Sequence, residues 1–483
     1  MQGDFSRRTF DAADRYRAVL LQQGRVVLDA DLNEQAEITT HHDEARVRDI
    51  VGRSGGPAPR GGAPGPFAIV GPSSTAGSGW RFAAEEWADL RVTGGTYYVD
   101  GVLVEGLDPP TGGYRLADQP FLPAVSVDDV HDPGLAEPAA DGRYAAYLDV
   151  WQRQVTFDED PSLLESALGG PDTTTRSQTV WQVRLLPVRD DDRCSDLHAQ
   201  AAAPRDPRRM AAELAPPDAT ADPCEISASG GYQRLENQLY RVQVHDGPDP
   251  SSATAPDGTV LWSRDNASVV AGIDAMTVVD ATDAVLTLDR LGRDDELSLR
   301  AGQLVEVTSR DRELRGLPGF LADAGTPDGF DLPVTWRGAG PDSLAALGAV
   351  PVARRWDGGP LPIKTALTPL EGGVEVRFPA GGRARTGDYW QIPARTVRLA
   401  YGLTQVSGTI EWPPTAGDDV EQPPAGPVHH VCPTAVLERA GGRWSLESDC
   451  RLLFPALTDL VTLDEVGGDG QEGGPGDALR QPD

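Results

Sequence analysis

Turn-forming residues interrupt this chain at short intervals, and they limit its secondary structure more than any other feature. Glycine supplies 54 and proline 41 of the 483 residues, about a fifth of the chain and roughly twice the usual share. Apolar residues still make up 39% of the sequence, which is enough to build a packed core. The composition therefore favours a loop-rich β protein over a disordered chain.

Residues 96–105 give the clearest local prediction. Asp100 and Gly101 supply the positive backbone dihedrals of a type I′ turn between two short strands, which predicts a β-hairpin. The sequence also predicts a short helix over 162–168, capped by Ser162, and further strands at 144–157, 180–188, 239–245, 260–263, 276–279, 285–288 and 304–308. Turn-rich spacers separate the strands, and no fixed-period repeat is present. We therefore expect a mainly β, multi-domain chain of β-sandwich or barrel-like units with few helices.

One longer helix is predicted near the N-terminus. Asp31 is placed to cap it, Glu34 completes a capping box, and Gly52 occupies the left-handed position at its end. The apolar stripe of this helix is thin and comprises Leu32, Ala36, Thr39, Val47 and Ile50. Such a stripe fits a helix that packs on a sheet edge or a neighbouring subunit, although an ordinary surface helix is an equal alternative.

Composition shifts divide the chain into four parts. Residues 54–66 are almost entirely glycine, proline and alanine, which is typical of a linker. The predicted organisation is an arm, helix and linker over 1–66, a first β-rich domain over 67–230 and a second over 231–460. An acidic, glycine-rich tail follows over 461–483, and its composition is that of a disordered segment.

The net charge of −31 excludes some partners. Non-specific nucleic-acid binding depends on Lys and Arg contacts with phosphate, so nucleic acid is not an expected partner, whereas a basic surface on another subunit is. No run of apolar residues reaches the length of a membrane span. The arginine pair Arg7 and Arg8 resembles an export motif, but residues 11–17 after it are polar. We therefore expect no signal peptide and synthesis in the cytoplasm.

The search for chemistry in the sequence gives weak candidates. A carboxylate cluster at residues 158–160 follows a predicted strand, where several glycosidases place their acid and base, but a solvated acidic turn is the favoured interpretation. Trp262, with Arg264, Asp265 and Asn266 after it, could stack on and hydrogen-bond a sugar. The simpler account is that Trp262 fills the core and that Asp265 and Asn266 make a turn by bonding their own backbone. No cofactor and no catalytic residue is predicted.

The four cysteines leave their state open. They form two locally spaced pairs, Cys194 with Cys224 and Cys432 with Cys450, and three disulfide connectivities are possible. Free buried thiols, one or two disulfides, and a zinc site are the three alternatives. Zinc has the weakest support, because neither pair has the short Cys-x-x-Cys spacing that is typical of such sites.

Several motifs together resemble one family of unknown function. They are Gly-Asp-Phe-Ser-Arg-Arg-Thr-Phe at 3–10, Gln-Gln-Gly-Arg-Val-Val-Leu-Asp-Ala-Asp-Leu-Asn-Glu-Gln at 22–35, Asp-Val-Trp-Gln-Arg at 149–153, Gly-Gly-Pro-Asp-Thr-Thr-Thr-Arg at 169–176, Leu-Glu-Asn-Gln-Leu-Tyr-Arg at 235–241, Trp-Ser-Arg-Asp-Asn at 262–266, Gly-Asp-Tyr-Trp at 387–390 and His-His-Val-Cys-Pro at 429–433. Members of that family are encoded beside phage-tail-like contractile injection systems. The resemblance implies a component of such a particle, near its baseplate or appendages, and no activity.

Three classes of function follow. The first is a non-enzymatic structural or adaptor subunit whose partners are other subunits of the particle, with a homo-oligomer also compatible. Its docking element is the N-terminal arm, and the predicted partner-binding residues are Phe5, Phe10, Tyr16, Leu20, Leu21, Val27, Leu28 and Leu32. The alternatives are a receptor- or glycan-binding appendage and, third, a carbohydrate-active enzyme that uses residues 158–160.

Overall fold

The computed structural model describes residues 2–59, 63–71, 90–107, 113–122, 140–202, 206–216, 231–249, 252, 254–399, 405–414 and 419–456. Strands dominate this part of the chain, so the prediction of a mainly β protein is confirmed. Four helices accompany them, α1 Asp29–Val51, α2 Cys194–Ala202, α3 Arg310–Leu314 and α4 Leu344–Leu347. Within the described ranges, no helix has both the length and the apolar character needed to cross a membrane.

The described strands are numbered in chain order. They are β1 Ser54–Pro57, β2 Ile69–Val70, β3 Arg91–Val92, β4 Gly95–Val99, β5 Val102–Gly106, β6 Tyr114–Arg115, β7 Gly142–Val155, β8 Arg176–Pro187, β9 Ala211–Leu214, β10 Gln238–Asp246, β11 Thr259–Ser263, β12 Val270–Val278, β13 Asp283–Leu288, β14 Leu304–Ser309, β15 Phe320–Ala324, β16 Asp331–Trp336, β17 Pro351–Trp356, β18 Gly358–Pro362, β19 Thr368–Pro369, β20 Val374–Arg377, β21 Tyr389–Leu399, β22 Gln405–Ile410, β23 His429–Ala440, β24 Arg443–Asp449 and β25 Leu453–Phe454.

The first unit is built from three sheets around one core. An antiparallel sheet has the order β24-β23-β7-β8, a second sheet has the order β25-β1-β4-β5, and a small sheet has the order β2-β3-β6. Their inward side chains share a cluster that includes Phe67, Tyr97, Leu148, Trp181 and Trp444. Alternating burial along β5 is typical of strands with one face on a core.

The second unit contains a five-stranded sheet, β18-β11-β10-β21-β22, and a three-stranded sheet, β19-β20-β9. Tyr240, Trp262, Phe378 and Trp390 contribute to its core. Between β11 and β18 the chain forms a third unit, a closed barrel of order β12-β13-β16-β15-β14-β17, with a core of its own. Closure leaves no free edge strand in the barrel.

The sheets do not follow the predicted division of the chain at residues 66 and 231. Strand β1 falls in the predicted linker, yet it pairs with β4 and with β25, and Gly55 and Gly56 are buried. Strands β23 to β25 lie in the predicted second domain, yet they complete sheets of the first unit. The units are therefore nested, with the barrel inside the second unit and the second unit inside the first. The predicted tail over 461–483 lies outside the described residues.

Local predictions fared better. The hairpin is confirmed, because β4 and β5 flank Asp100 and Gly101, whose φ values are 50° and 93°. The predicted helix over 162–168 is wrong: two 3₁₀ turns, Pro161–Leu163 and Ser166–Leu168, replace it. Each turn is capped at its start by the carboxylate of the residue before it, Asp160 or Glu165, which accepts a backbone N–H, so Ser162 is not the cap.

Candidate functional site

Residues 3–10 of the predicted arm lie against the folded body. The side-chain amide of Asn266 donates to the carbonyl oxygen of Gly3 over 2.9 Å. The guanidinium of Arg395 donates to the carbonyl oxygen of Ser6 over 3.0 Å. These bonds satisfy backbone acceptors that a free arm would leave to water. The start of the chain is therefore part of the fold.

The segment after it is exposed and rich in apolar side chains. We define the apolar arm as Tyr16, Leu20, Leu21, Val26, Val27, Leu28 and Leu32. Their exposed fractions run from 46% at Val27 to 84% at Leu20 and Val26. Burial of each such side chain would contribute about 1.5–3 kcal/mol. Monomeric proteins rarely expose apolar side chains at this density.

The structure does not bring all eight predicted partner-binding residues to this surface. Six of them belong to the apolar arm, whereas Phe5 and Phe10 are half-buried. The ring of Phe10 lies 5.5 Å from the ring of His41 on α1. The ring of Phe10 helps to anchor the N-terminal segment, and the other six predicted residues are the exposed ones.

Helix α1 begins at Asp29, two residues before the predicted cap. Asp31 therefore lies in the first turn, where its carboxylate accepts the backbone N–H of Leu28 over 3.1 Å. Glu34 does not complete a capping box, because its carboxylate accepts a hydrogen bond from Thr9. Gly52 ends the helix with a φ of 92°, as predicted. Only two residues of this helix, Ala30 and Ile38, are buried.

The far end of α1 is anchored on the turn of the β4–β5 hairpin. A Cβ atom on Gly101 would lie 2.2 Å from the carbonyl oxygen of Glu44, so helix and turn are in direct contact. Arg48 donates to the carbonyl oxygen of Asp100 over 2.6 Å. The carboxylate of Asp100 is 3.4 Å from Nδ1 of His430. The hydrogen bond from His430 lowers the pKa of Asp100 below its usual value.

A cluster of buried charges lies where the three units meet. Glu306 on β14 and Arg354 on β17 are both buried and 3.4 Å apart. The indole Nε1 of Trp356 donates to Glu306 over 2.9 Å, and Nδ1 of His245 is 3.5 Å from the same carboxylate. Arg354 also donates to Glu313 over 2.7 Å. Such charges are retained in a protein interior only when they are paired.

Two cavities adjoin this cluster. One of about 170 Å³ and one of about 380 Å³ share Gln2, Arg153, Gln154, Glu313 and Arg354 in their walls. In the smaller cavity the guanidinium of Arg241 stacks on the ring of Tyr389, 3.7 Å from its centroid. Burial lowers the pKa of Arg241 to about 10. Carboxylates and arginines in these walls neutralise one another, and the arrangement is one of structural ion pairs that join the units.

The carboxylates of residues 158–160 have structural partners as well. Asp158 pairs with Arg290 on the barrel, and Glu159 accepts a bond from Arg153 over 2.7 Å. The carboxylate of Asp160 accepts the N–H of Ser162 at the start of a 3₁₀ turn. The predicted turn is present, but the prediction that it is solvated is wrong for Asp158 and Glu159, whose side chains are only 7% and 17% exposed. The cluster fastens the first unit to the barrel.

Trp262 is buried in the core of the second unit, as the simpler interpretation predicted. The turn after it differs from the prediction. The hydroxyl of Ser263 accepts the N–H groups of Asp265 and Ala267, whereas the carboxylate of Asp265 binds Arg355 over 2.6 Å. The side-chain amide of Asn266 donates to the carbonyl oxygen of Gly3 in the N-terminal segment. These residues hold units together and do not form an open sugar-binding face.

The cysteines pair across the chain and not locally. Cys194, at the start of α2, forms a disulfide with Cys450, which follows β24. Cys432 is a buried free thiol whose pKa burial raises to about 11. Cys224 lies outside the described residues. No group of three or more His, Cys, Asp or Glu residues suited to a metal ion is found in the part of the chain that the structure describes.

Sequence reasoning missed Glu306, Arg354 and His245. A signal was present, because Glu306 lies between two valines and Arg354 follows Val352 and Ala353, in strands whose residues are all or nearly all buried. A charged residue at such a position must find a buried partner. The sequence did not indicate that the two strands would lie side by side.

These features define a class: a multi-unit β protein that carries an anchored, exposed apolar arm. A model of DUF6519, a family of unknown function, matches residues 1–205 and 191–465. The match spans most of the chain, and the chain belongs to this family. No curated protein and no solved structure matches it significantly.

Proposed function

We propose that this chain is a non-enzymatic structural or adaptor subunit of a phage-tail-like contractile injection particle, placed at or near the baseplate. The exposed apolar arm is the observation that carries the docking role. The particle itself comes from the resemblance of the motifs at residues 3–10 and 22–35 to a family encoded beside such systems. The ion pairs of Asp158 and Glu159, and the capping role of Asp160, support a role without catalysis.

The arm is suited to docking because both of its ends are held. Residues 3 and 6 are bonded to the body on one side, and α1 rests on the hairpin turn on the other. A segment held in this way loses less conformational freedom on binding than a free tail does. Full burial of its seven apolar side chains corresponds to a gross gain on the order of 10 kcal/mol. Association, side-chain ordering and desolvation offset a large part of that gain.

The experiment is a set of substitutions on the arm, assayed in the native host lysate. The variant Leu20→Asp, Leu21→Asp, Val26→Asp and Val27→Asp replaces exposed residues, so it is expected to fold normally. Affinity-tagged protein is recovered from lysate, and mass spectrometry and negative-stain imaging examine the eluate. Wild-type protein is expected to recover sheath and baseplate proteins with tail-like particles, and the variant to recover neither.

The matched control carries the same chemical change at exposed leucines elsewhere. Leu168 and Leu235 are 69% and 96% exposed, and the variant Leu168→Asp, Leu235→Asp is expected to join particles like the wild type. Normal incorporation of the arm variant would contradict docking through the arm. Recovery of the wild-type chain alone would contradict the particle assignment.

A further inference from the structure

A second surface lies on the other side of α1. A groove of about 1230 Å³ runs between this helix and the edges of two sheets. Thr39, Thr40 and Asp43 of α1 form one wall. Leu103 and Glu105 of β5, together with Ser177, Gln178 and Thr179 of β8, form the floor and the opposite wall. Gln152 and Val155 of β7 also line it, so the groove is bounded by one helix and by three strands, β5, β7 and β8.

Strands β5 and β8 are edge strands of the sheets that the structure describes. β8 pairs with β7 and β5 pairs with β4, and each ends its sheet on the other side. An edge strand presents a row of N–H and C=O groups that another strand can pair with.

One contact shows which way the backbone N–H and C=O groups of β8 point. The side-chain amide of Gln119 bonds both the N–H and the C=O of Val183, at 2.7 Å and 2.8 Å. The backbone groups of Val183 therefore face away from β7. The pairing of β7 with β8 has no register shift, and backbone direction alternates along an antiparallel strand. The N–H and C=O groups of Thr179 and Ser177 consequently also face away from β7.

We propose that this groove binds an extended, basic segment of a partner protein, which pairs with β8 as an added strand. Ser177 and Thr179 supply two donors and two acceptors for main-chain hydrogen bonds, as in other cases of strand addition. Helix α1 lines the same groove, so this edge is partly covered by a helix, as is common for edge strands.

The charges that line the groove favour a positively charged partner. Five carboxylates line the groove, those of Asp43, Glu44, Asp49, Glu105 and Asp160, against the three arginines Arg17, Arg46 and Arg176. Asp43 already pairs with Arg46. In the described part of the chain no ion pair joins Glu44, Asp49 or Glu105 to another residue. A segment with arginine or lysine at alternate positions would supply the missing charges, and the net charge of −31 favours its approach.

This inference does not rest on the role of the apolar arm, because the groove and the arm present different residues. The test uses the full chain and a fluorescein-labelled octapeptide of alternating arginine and valine, with binding followed by fluorescence anisotropy. Wild-type protein is expected to bind this peptide and not an octapeptide of alternating glutamate and valine. Binding is expected to weaken as salt concentration rises.

Strand pairing is tested from both sides. Thr179→Pro removes an N–H that faces the groove and leaves the bonds to β7 in place. We expect it to weaken binding about tenfold, while Thr179→Val, which keeps the N–H, binds like the wild type. A peptide N-methylated at alternate residues should lose about the same factor against wild-type protein, which needs no protein variant to fold. Asp49→Lys with Glu105→Lys should also weaken binding.

Three results would overturn the proposal. One is equal binding of the plain and N-methylated peptides, which would mean that no main-chain pairing occurs. Another is an absence of binding by the basic peptide at low salt. The third is a change in oligomeric state of the free protein on Thr179→Pro in sedimentation experiments, since the occupant of the edge would then be a second copy of this chain.

Discussion

Glu306 illustrates how single residues hold this molecule together. Burial by itself raises the pKa of its carboxyl. The imidazole of His245 and the charge of Arg354 outweigh this effect and lower the pKa to about 2, against the ordinary value of 4.5. Its partners favour the ionised form, so this buried carboxylate stays ionised in the folded protein at neutral pH. The stability that it contributes therefore depends on pH.

We expect Glu306→Gln to destabilise the protein by about 3 kcal/mol at neutral pH, because Arg354 would lose its buried carboxylate partner and keep only the exposed Glu313. The pKa of Glu306 is lower in the folded than in the unfolded state. Its contribution is therefore complete above pH 4.5 and is lost as pH falls towards 2. Urea unfolding at a series of pH values should show the wild-type and variant curves converging over that window.

The exposed Glu438 provides the control for this experiment. Glu438→Gln should give a free energy of unfolding that follows the wild type at every pH. Wild-type and Glu306→Gln curves that stay parallel from neutral pH to pH 3 would contradict the assignment of Glu306 as a paired, ionised carboxylate.

Residue-level predictions from the sequence succeeded where the local pattern alone decides. The positive φ of Asp100 and Gly101 and the burial of Trp262 follow from turn chemistry and side-chain type. The ionised pair of Glu306 and Arg354 does not, because it depends on which strands become neighbours. The exposure of the apolar arm could not be predicted either, because it depends on which surfaces the rest of the chain covers.

At the scale of elements, strands were predictable because apolar and turn residues alternate clearly. Strand β1, which lies within the predicted linker over 54–66, was not predictable, because glycine is also required where a strand packs very closely against its neighbours. A Cβ on Gly56 would lie 2.5 Å from the side chain of Tyr97, so glycine here allows β1 to pack against the core. Composition alone does not distinguish a flexible glycine from one that a close contact requires.

The contact of α1 with the hairpin turn leads to a prediction for Gly101. Gly101→Ala would place a methyl group 2.2 Å from the backbone of Glu44 at a φ of 93°. Helix and turn must separate, and we expect a loss of about 2 kcal/mol together with faster amide hydrogen exchange along α1. Exchange followed by mass spectrometry on peptides from residues 29–51 measures this directly.

Gly169→Ala is the matched control, because Gly169 has a φ of 91° and no atom within 4 Å of an added Cβ. It shares the backbone strain of Gly101→Ala and lacks the clash. Its α1 peptides should exchange as in the wild type. Equal exchange rates in the two variants would show that α1 is not anchored at the hairpin turn.

At the scale of the whole molecule, the nesting of the units could not be predicted from the sequence. β7 pairs with β23 through residues such as Val150 and His430, which are 280 positions apart. The disulfide joins cysteines separated by 256 positions. Hydrophobic periodicity is a local signal and carries no information about such partners. Because of this nesting, the barrel is one continuous segment of the chain that lies between β11 and β18.

The barrel is expected to fold alone. Its six strands close on themselves around a core that includes Leu286, Val305 and Trp336. Its two ends leave the second unit side by side, because Trp262 pairs with Gly358. Expression of residues 268–357 by themselves, with urea unfolding followed by tryptophan fluorescence, tests this expectation. We expect one cooperative transition, at a lower urea concentration than in the intact chain.

The lower midpoint has a defined cause. In the intact protein Trp356 packs with Leu261 and Ala267, which the isolated barrel lacks. Leu286→Asp places a charge in the barrel core and should abolish the transition, which distinguishes a packed barrel from a collapsed chain. A broad, non-cooperative transition in the unmodified segment would contradict autonomy. The barrel would then owe its closure to β11 and β18, and the second and third units would fold as one.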